Sequence, residues 1–279
     1  MPFMNTSSPS PFLRAYTIFL ACWTFFLIIA GGAVTSTGSG LSVPDWPLSF
    51  GTWNPPMVGG VFFEHGHRLI ATAAGLMTVI LAIWLWRSPV QAALKRAAGI
   101  AVGLVLLQGL LGGITVLLKL PALTSVSHAC LGQIFFSWMV CIAWVANTSD
   151  YESGPLLSPE AQKMYRIAST TTGFVLLQLL AGAIYRHTGK LLHFHMLGAF
   201  LVVLHGILVL KRAWTSPTLP QVLRILASTL NGFIGVQLIL GLWSWRLPNP
   251  IITTTHQSVG ALILATSLLL TVQSTRKKI

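Results

Sequence analysis

Apolar residues fill this chain in eight long runs, roughly 13–36, 61–86, 97–118, 122–146, 166–186, 190–211, 222–245 and 250–273, with short polar stretches between them. At ~1.5 Å of rise per residue, about 20 apolar residues cross a hydrocarbon core of roughly 30 Å. A helix is the open-ended element whose backbone satisfies its own hydrogen bonds in lipid. The pattern predicts an all-α integral membrane protein with eight transmembrane helices. Seven further runs follow the first, so the first reads as a retained helix and not as a cleaved signal.

Composition agrees: 54% of the 279 residues are hydrophobic and 8% are charged, which excludes an ordinary soluble domain. The net charge of +12 would suit nucleic acid, but its distribution points to the lipid bilayer. With a cytoplasmic N-terminus, twelve of the seventeen basic residues fall on the inner side. Lys119, Arg186, Lys190 and Arg246 fall on the outer side, and Arg68 lies just inside a helix mouth. Such a bias sets orientation, so both termini are expected in the cytoplasm of a multi-pass cell-membrane protein with no nucleic-acid partner. Cys22, Cys130 and Cys141 all fall within predicted spans, which gives no disulfide framework.

The chain also repeats itself. The connection from Asn147 to Arg166 carries three of the five acidic residues and two prolines, and it divides the eight helices four and four. An offset of 128 takes His65 and His67 to His193 and His195, His128 to His256, and Gly132 to Gly260. Gln108 with Gly112 recurs as Gln237 with Gly241, one residue out of step, and Gly32-Ala33 recurs as Gly182-Ala183. Four helices per half make this a parallel repeat of two four-helix bundles. The expected boundaries are 1–146, a cytoplasmic linker at 147–165, and 166–279.

His67 to His128 spans 61 residues, as does His195 to His256. Each stands five to seven residues into an even-numbered run that starts on the outer side, which puts all four imidazoles roughly 10 Å below the outer face. Facing imidazoles in a helix bundle are a way to hold heme iron between axial nitrogens. Gly66, Ala129, Gly132, Gly198 and Gly260 leave room for a flat macrocycle. Zinc is disfavoured because carboxylate and thiolate companions are scarce. The competing account of each histidine is an interhelical hydrogen bond. His65 and His193 repeat too, but two residues along a helix is about 200° of rotation, so they cannot share an iron with their neighbours. Spacing does not decide which of each pair binds.

Glu64 stands three residues before His67, on its face, and an intramembrane carboxylate is a functional candidate by default. In the second half its place is taken by Leu192, and that of Arg68 by Met196. The asymmetry asks for a reactive site in the N-terminal half and a plainer, permanently occupied one in the C-terminal half.

At these residues the sequence resembles the heme A synthase family, the CtaA/Cox15 proteins. The matching elements are GGAVTSTGSGL, VPDWPLSFG, Glu64-x-x-His67-Arg68, His128 in SVSHACLGQ, His195 in HFHMLGAF and His256 in TTTHQSVGALI. The resemblance implies oxidation of the heme O C8 methyl to a formyl, giving heme A for terminal oxidases. It implies substrate heme at His67 and His128, a resident heme b cofactor at His195 and His256, and the family's glutamate at Glu64. It further implies a heme O synthase partner and an electron donor that the residues do not identify. Arg68, Lys119, Arg186, Lys190 and Arg246 are candidate contacts for the anionic propionates. One feature departs: many bacterial members carry two cysteines seven residues apart in the first outer loop, where this chain has Ser42 and Ser49.

Two other classes compete. A diheme b-type electron carrier would place its hemes at two depths, whereas these histidines lie near one face. A transporter would show polar groups or broken helices near the midplane, and few are present.

Overall fold

The computed structural model describes residues 8–148, 151–153, 158–247 and 249–278. Its eight helices are α1 (Pro11–Ser36), α2 (Gly60–Arg87), α3 (Ala92–Leu117), α4 (Ala122–Asn147), α5 (Pro159–Thr188), α6 (Leu192–Thr215), α7 (Gln221–Arg246) and α8 (Pro250–Ser274). All eight are long and apolar enough to cross a membrane, and the chain is a multi-pass membrane protein. Two three-residue strands, β1 (Tyr151–Ser153) and β2 (Arg276–Lys278), pair antiparallel in a short ribbon that the apolar pattern does not predict.

Two helices begin a turn or more before their apolar runs. α5 starts at Pro159, inside the stretch expected to be a linker. Ser158 caps it, its Oγ accepting from the Ala161 N–H at 3.1 Å, and proline is preorganised for the first helical position. Helix therefore extends two polar turns beyond the apolar run. α3 starts at Ala92, where Lys95 Nζ donates to the Trp86 carbonyl (3.1 Å) and Trp86 Nε1 donates back to the Lys95 carbonyl (3.0 Å).

The chain divides into two compact units, residues 1–149 with 249–254, and residues 150–248 with 255–279. In the first, α1 packs on α2 and α4, and α3 packs on α2 and α4, so the four helices form a ring with α2 and α4 on a diagonal. Indole and phenol groups tie neighbours together: Trp23 Nε1 donates to Ile70 O (3.1 Å), Tyr16 Oη to Met77 O (2.9 Å), and Trp138 Nε1 to Ala97 O (2.9 Å). In the second unit α6 packs on α5 and α7, and Thr172 of α5 meets Thr271 of α8 at 3.0 Å.

The buried apolar side chains gather at one end of each unit. In the first these are Leu13, Leu20, Leu81, Leu85, Leu94, Phe135, Met139 and Ile142, at the start of α1 and α3 and late in α2 and α4. In the second, Met164, Val209, Leu223, Leu230, Leu264 and Leu270 mark the same end. Toward the other end of the first unit the buried positions are small or polar, among them Gly32, Glu64, Thr115, Ser125 and Gly132. Each unit is closed by large side chains at one end and lined by small ones where its histidines lie.

Candidate functional site

Each of the four histidines lies against a glycine of the preceding helix. A Cβ on Gly31 would stand 3.0 Å from His67 Cε1, on Gly112 3.0 Å from His128 Cε1, on Gly182 2.8 Å from His195 Cε1, and on Gly241 3.1 Å from His256 Cε1. The rings are half-buried. A bare glycine surface lets a flat imidazole rest on the neighbouring helix backbone, which any side chain would prevent. The glycine at the end of α1 that does this is Gly31, not the Gly32 that the repeat pattern matched to Gly182. His195 also stands nearer its helix start than expected, in the first turn of α6, because the αL residues Gly189 (φ 71°) and Leu191 (φ 69°) turn the chain sharply out of α5.

Three of the four histidines have a glutamine beside them. Gln108 Nε2 donates to the His128 carbonyl (2.9 Å) and lies 3.4 Å from His128 Nε2. Gln237 Nε2 lies 3.4 Å from His256 Nε2. His195 Nδ1 lies 3.3 Å from the main-chain carbonyl of Gln178. These carboxamides lie against Gly132, Gly260 and Gly198, so the space expected there for a macrocycle is taken by glutamine side chains. Gln178 is a site residue that the repeat pattern missed.

His195 and His256 face each other with ring centroids 6.4 Å apart and planes at 80°. Two metal–imidazole bonds of about 2 Å, plus roughly 1 Å from each ring nitrogen to its centroid, span about 6 Å. The pair therefore fits axial ligation of one iron. His67 and His128 stand on the diagonal helices of the first unit. His67 Nδ1 is buried with no hydrogen-bond partner among the described residues. No three His, Cys, Asp or Glu side chains converge for a bare metal ion among the described residues. A porphyrin brings its own four equatorial nitrogens, so two imidazoles suffice. The donor set fits heme.

The ionisable groups around His67, namely Glu64, His65 and Arg68, bind a loop. Glu64 is 3% exposed; its Oε1 accepts from Arg68 Nη2 at 2.6 Å and its Oε2 from the Val43 N–H at 2.7 Å. Arg68 donates onward to the carbonyls of Val43 (2.9 Å), Asp45 (2.7 Å) and Leu48 (2.9 Å). His65 Nδ1 lies 2.7 Å from Ser49 Oγ, both buried. Within the loop, Asp45 accepts from the Phe50 and Gly51 N–H groups (2.7 and 2.9 Å), and these bonds hold its carboxyl below the usual carboxylate range. Trp46 lies against Gly113, next to the glycine that supports His128. The loop thus runs from the mouth of α2 to the His128 station on α3.

The remaining cations are less engaged with the histidines. Arg246 stacks over Trp245 with 4.9 Å to the ring centroid, Lys119 is in the α3–α4 turn with φ 60°, and Lys190 follows the α5 cap. Arg186 lies in the last turn of α5. His193 is exposed, and His205 packs on Phe174 (4.6 Å between centroids) with Thr171 at 3.5 Å.

A sequence model of the COX15-CtaA family, described as cytochrome oxidase assembly protein, matches residues 14–59 and 58–194. The chain belongs to the COX15-CtaA family. That match contains the loop, Glu64, His67 and His128, and it ends one residue before His195. The chain is 32% identical over 168 residues to "Heme A synthase" of Geobacillus kaustophilus (strain HTA426), covering 58% of this chain and 52% of that protein. It is 29% identical over 188 residues to "Heme A synthase" of Shouchella clausii (strain KSM-K16), covering 64% and 61% respectively. It is also 29% identical over 141 residues to "Protoheme IX farnesyltransferase" of Halobacterium salinarum (strain ATCC 29341 / DSM 671 / R1), covering 50% of this chain and 30% of that one. The alignments thus span about half to three fifths of the heme A synthases and under a third of the farnesyltransferase. The C-terminal histidine pair of this COX15-CtaA member lies outside the family match.

Proposed function

We propose that this protein is a heme A synthase, an oxidoreductase that converts the C8 methyl of heme O to a formyl. The observation that carries the reading is the recurrence, in both units, of two imidazoles resting on glycine at the small-residue end of the bundle, in a COX15-CtaA chain. The halves are parallel copies with divided labour. His67 and His128 take substrate heme O in residues 1–146, and His195 and His256 hold a resident heme b in residues 166–279. A bound heme b supplies one-electron redox chemistry at its iron.

The chemistry is two successive two-electron oxidations of the methyl, each adding one hydroxyl at the expense of an external oxidant, then loss of water from the gem-diol to leave the formyl. The protein's own part is orientation and charge. Glu64, buried beside the His67 turn, places a carboxylate where positive charge at the C8 carbon or a mobile proton is stabilised. Arg68, Lys119, Arg186, Lys190 and Arg246 are the cations available to the propionates. The histidine ends face the outside and both termini the cytoplasm, as the basic-residue bias requires. A heme O synthase is the partner that supplies substrate. Likeness to a protein named for farnesyl transfer to protoheme IX fits that place in the sequence of reactions.

The test is pigment extraction from membranes producing this chain together with a heme O synthase. Heme A beside heme B is the expected result. Heme B without O or A would make it a diheme electron carrier, and absence of heme would remove the reading altogether.

A further inference from the structure

Gln108, Gln178 and Gln237 share a feature beyond their position: the side-chain Oε1 of each is buried with no hydrogen-bond partner among the described residues. Leaving one acceptor so is costly; Gln133 Oε1 is also without a partner among the described residues, so what marks these three is their shared position relative to a histidine and its glycine. Each glutamine precedes by four residues the glycine that supports a histidine: Gly112, Gly182 and Gly241. Each carboxamide in turn occupies the notch of a glycine three or four residues after that histidine: Gly132, Gly198 and Gly260. The result is a reciprocal clasp, in which one helix receives the ring and gives the amide, and the other does the reverse.

The fourth station lacks it. Four residues before Gly31 stands Leu27, and the residues three and four after His67 are Ile70 and Ala71. His67 keeps its glycine but has no carboxamide beside it, and this, not the state of its Nδ1, sets it apart from the other three. The orientation of the amide at His128 is fixed, because Gln108 Nε2 already donates to the His128 carbonyl at 2.9 Å.

We propose that the side chains of Gln108 and Gln237 are positioning groups that fix the imidazole planes of His128 and His256, that the main-chain carbonyl of Gln178 does this for His195, and that His67, with no such partner, is the exchangeable ligand of the four. Groups beyond the first ligands orient a metal-bound imidazole and tune its basicity, so a clasp lost or gained changes the ligand field before it changes occupancy. An imidazole held only by its glycine would be able to turn away from the substrate more readily than the other three. The inference rests on the heme-binding reading above.

The experiment uses the purified full-length protein and its bound heme, read by low-temperature electron paramagnetic resonance and by redox titration. Gln237→Leu should retain heme at the parental ratio while the low-spin signal of the His195–His256 site broadens or shifts and its midpoint potential moves. If Gln237→Leu does not accumulate, the isosteric Gln237→Glu carries the same comparison. Leu27→Gln with Ala71→Gly, which supplies both the amide and its notch at His67, should slow binding of added cyanide to the N-terminal iron at least severalfold. Unchanged resonance and potential in the glutamine variants, with parental heme content, would overturn the positioning role. A cyanide rate unmoved by Leu27→Gln with Ala71→Gly would overturn the exchangeable-ligand role. A parental protein without heme would overturn the reading beneath both.

Discussion

Ser49 Oγ and His65 Nδ1 lie 2.7 Å apart in a buried contact that ties the α1–α2 loop to the first turns of α2. Ser49 is one of the two positions where the resemblance implies a cysteine in many bacterial members, and here a hydroxyl makes the contact with His65. Ser42, the other expected cysteine position, packs on Gly60 at the start of α2. Neither residue offers sulfur to an electron-transfer step. Heme A formation should therefore be unaffected by a membrane-impermeant alkylating reagent. Strong inhibition would contradict this and point to Cys130, which is partly exposed. Ser49→Ala should leave the His65 ring unpaired at a cost of about 1–3 kcal/mol, seen as faster proteolysis within residues 37–59 with heme content unchanged.

Glu64 and Arg68 separate two roles by experiment. Arg68 satisfies three loop carbonyls and one Glu64 oxygen, so Arg68→Ala leaves a buried charge uncompensated. Breaking such a pair costs about 3–5 kcal/mol, and the variant should be depleted from the membrane. Glu64→Gln keeps the shape and one acceptor for the Val43 N–H. It should accumulate near-normally with resident heme intact. Heme A should fall about a hundredfold or more, with heme O or its hydroxylated intermediate rising instead. Parental heme A from Glu64→Gln would end the catalytic assignment and leave Glu64 as a loop fastener.

Much of this was legible in the sequence, and the gaps have a common origin. Apolar run length predicts eight spans, and a shared spacing of 61 places the histidines at related depths. Spacing reports height, at ~1.5 Å per residue, far better than it reports which neighbour a side chain meets, since one residue turns a helix face by about 100°. Hence Gly32 was matched where Gly31 makes the contact. Gln178 was legible, since it precedes Gly182 by the same four residues that separate Gln108 from Gly112 and Gln237 from Gly241, but the pattern was followed only for the latter two. The bonds from Glu64, His65 and Arg68 to the loop were hidden for another reason. They are made to main-chain groups and a serine whose placement depends on the loop's fold, which no periodicity encodes.

The glycine supports give a graded series. Gly182→Ala puts a methyl 2.8 Å from the His195 ring and should remove the resident low-spin heme signal as fully as His195→Ala or His256→Ala. Gly103→Ala, where a Cβ meets nothing within 4 Å, should be neutral or stabilising by about 0.5–1 kcal/mol, with an unchanged heme spectrum. Equal spectra from Gly182→Ala and the parent would show that the glycine is not the ring's support.

Asp45 sets the acid limit of the loop. Its carboxyl is held below the ordinary range by the Gly51 and Phe50 N–H groups, so the folded loop favours the ionised form. That contribution is fully present above the unfolded carboxylate value of about 4 and is lost as pH falls through the depressed folded value. Tryptophan fluorescence from Trp46 and Trp53 should therefore be flat from neutral pH to about 5 and change below about 4. Asp45→Asn should remove that acid transition. A transition near neutrality that survives Asp45→Asn would assign the loop's pH dependence to another group.

The gathering of Leu81, Leu85, Phe135 and Met139 at the end away from the histidines separates what keeps the bundle folded from what it binds. Local opening is cheapest where buried apolar contacts are fewest, so the two ends of a single helix belong to different cooperative units. In hydrogen–deuterium exchange, amides around residues 81–85 and 135–142 should be the last to exchange, whether or not heme is present. Those around residues 62–70 and 124–130 should gain protection when heme binds. A bundle built this way can open its mouth to admit a ligand as bulky as a porphyrin without risking global unfolding.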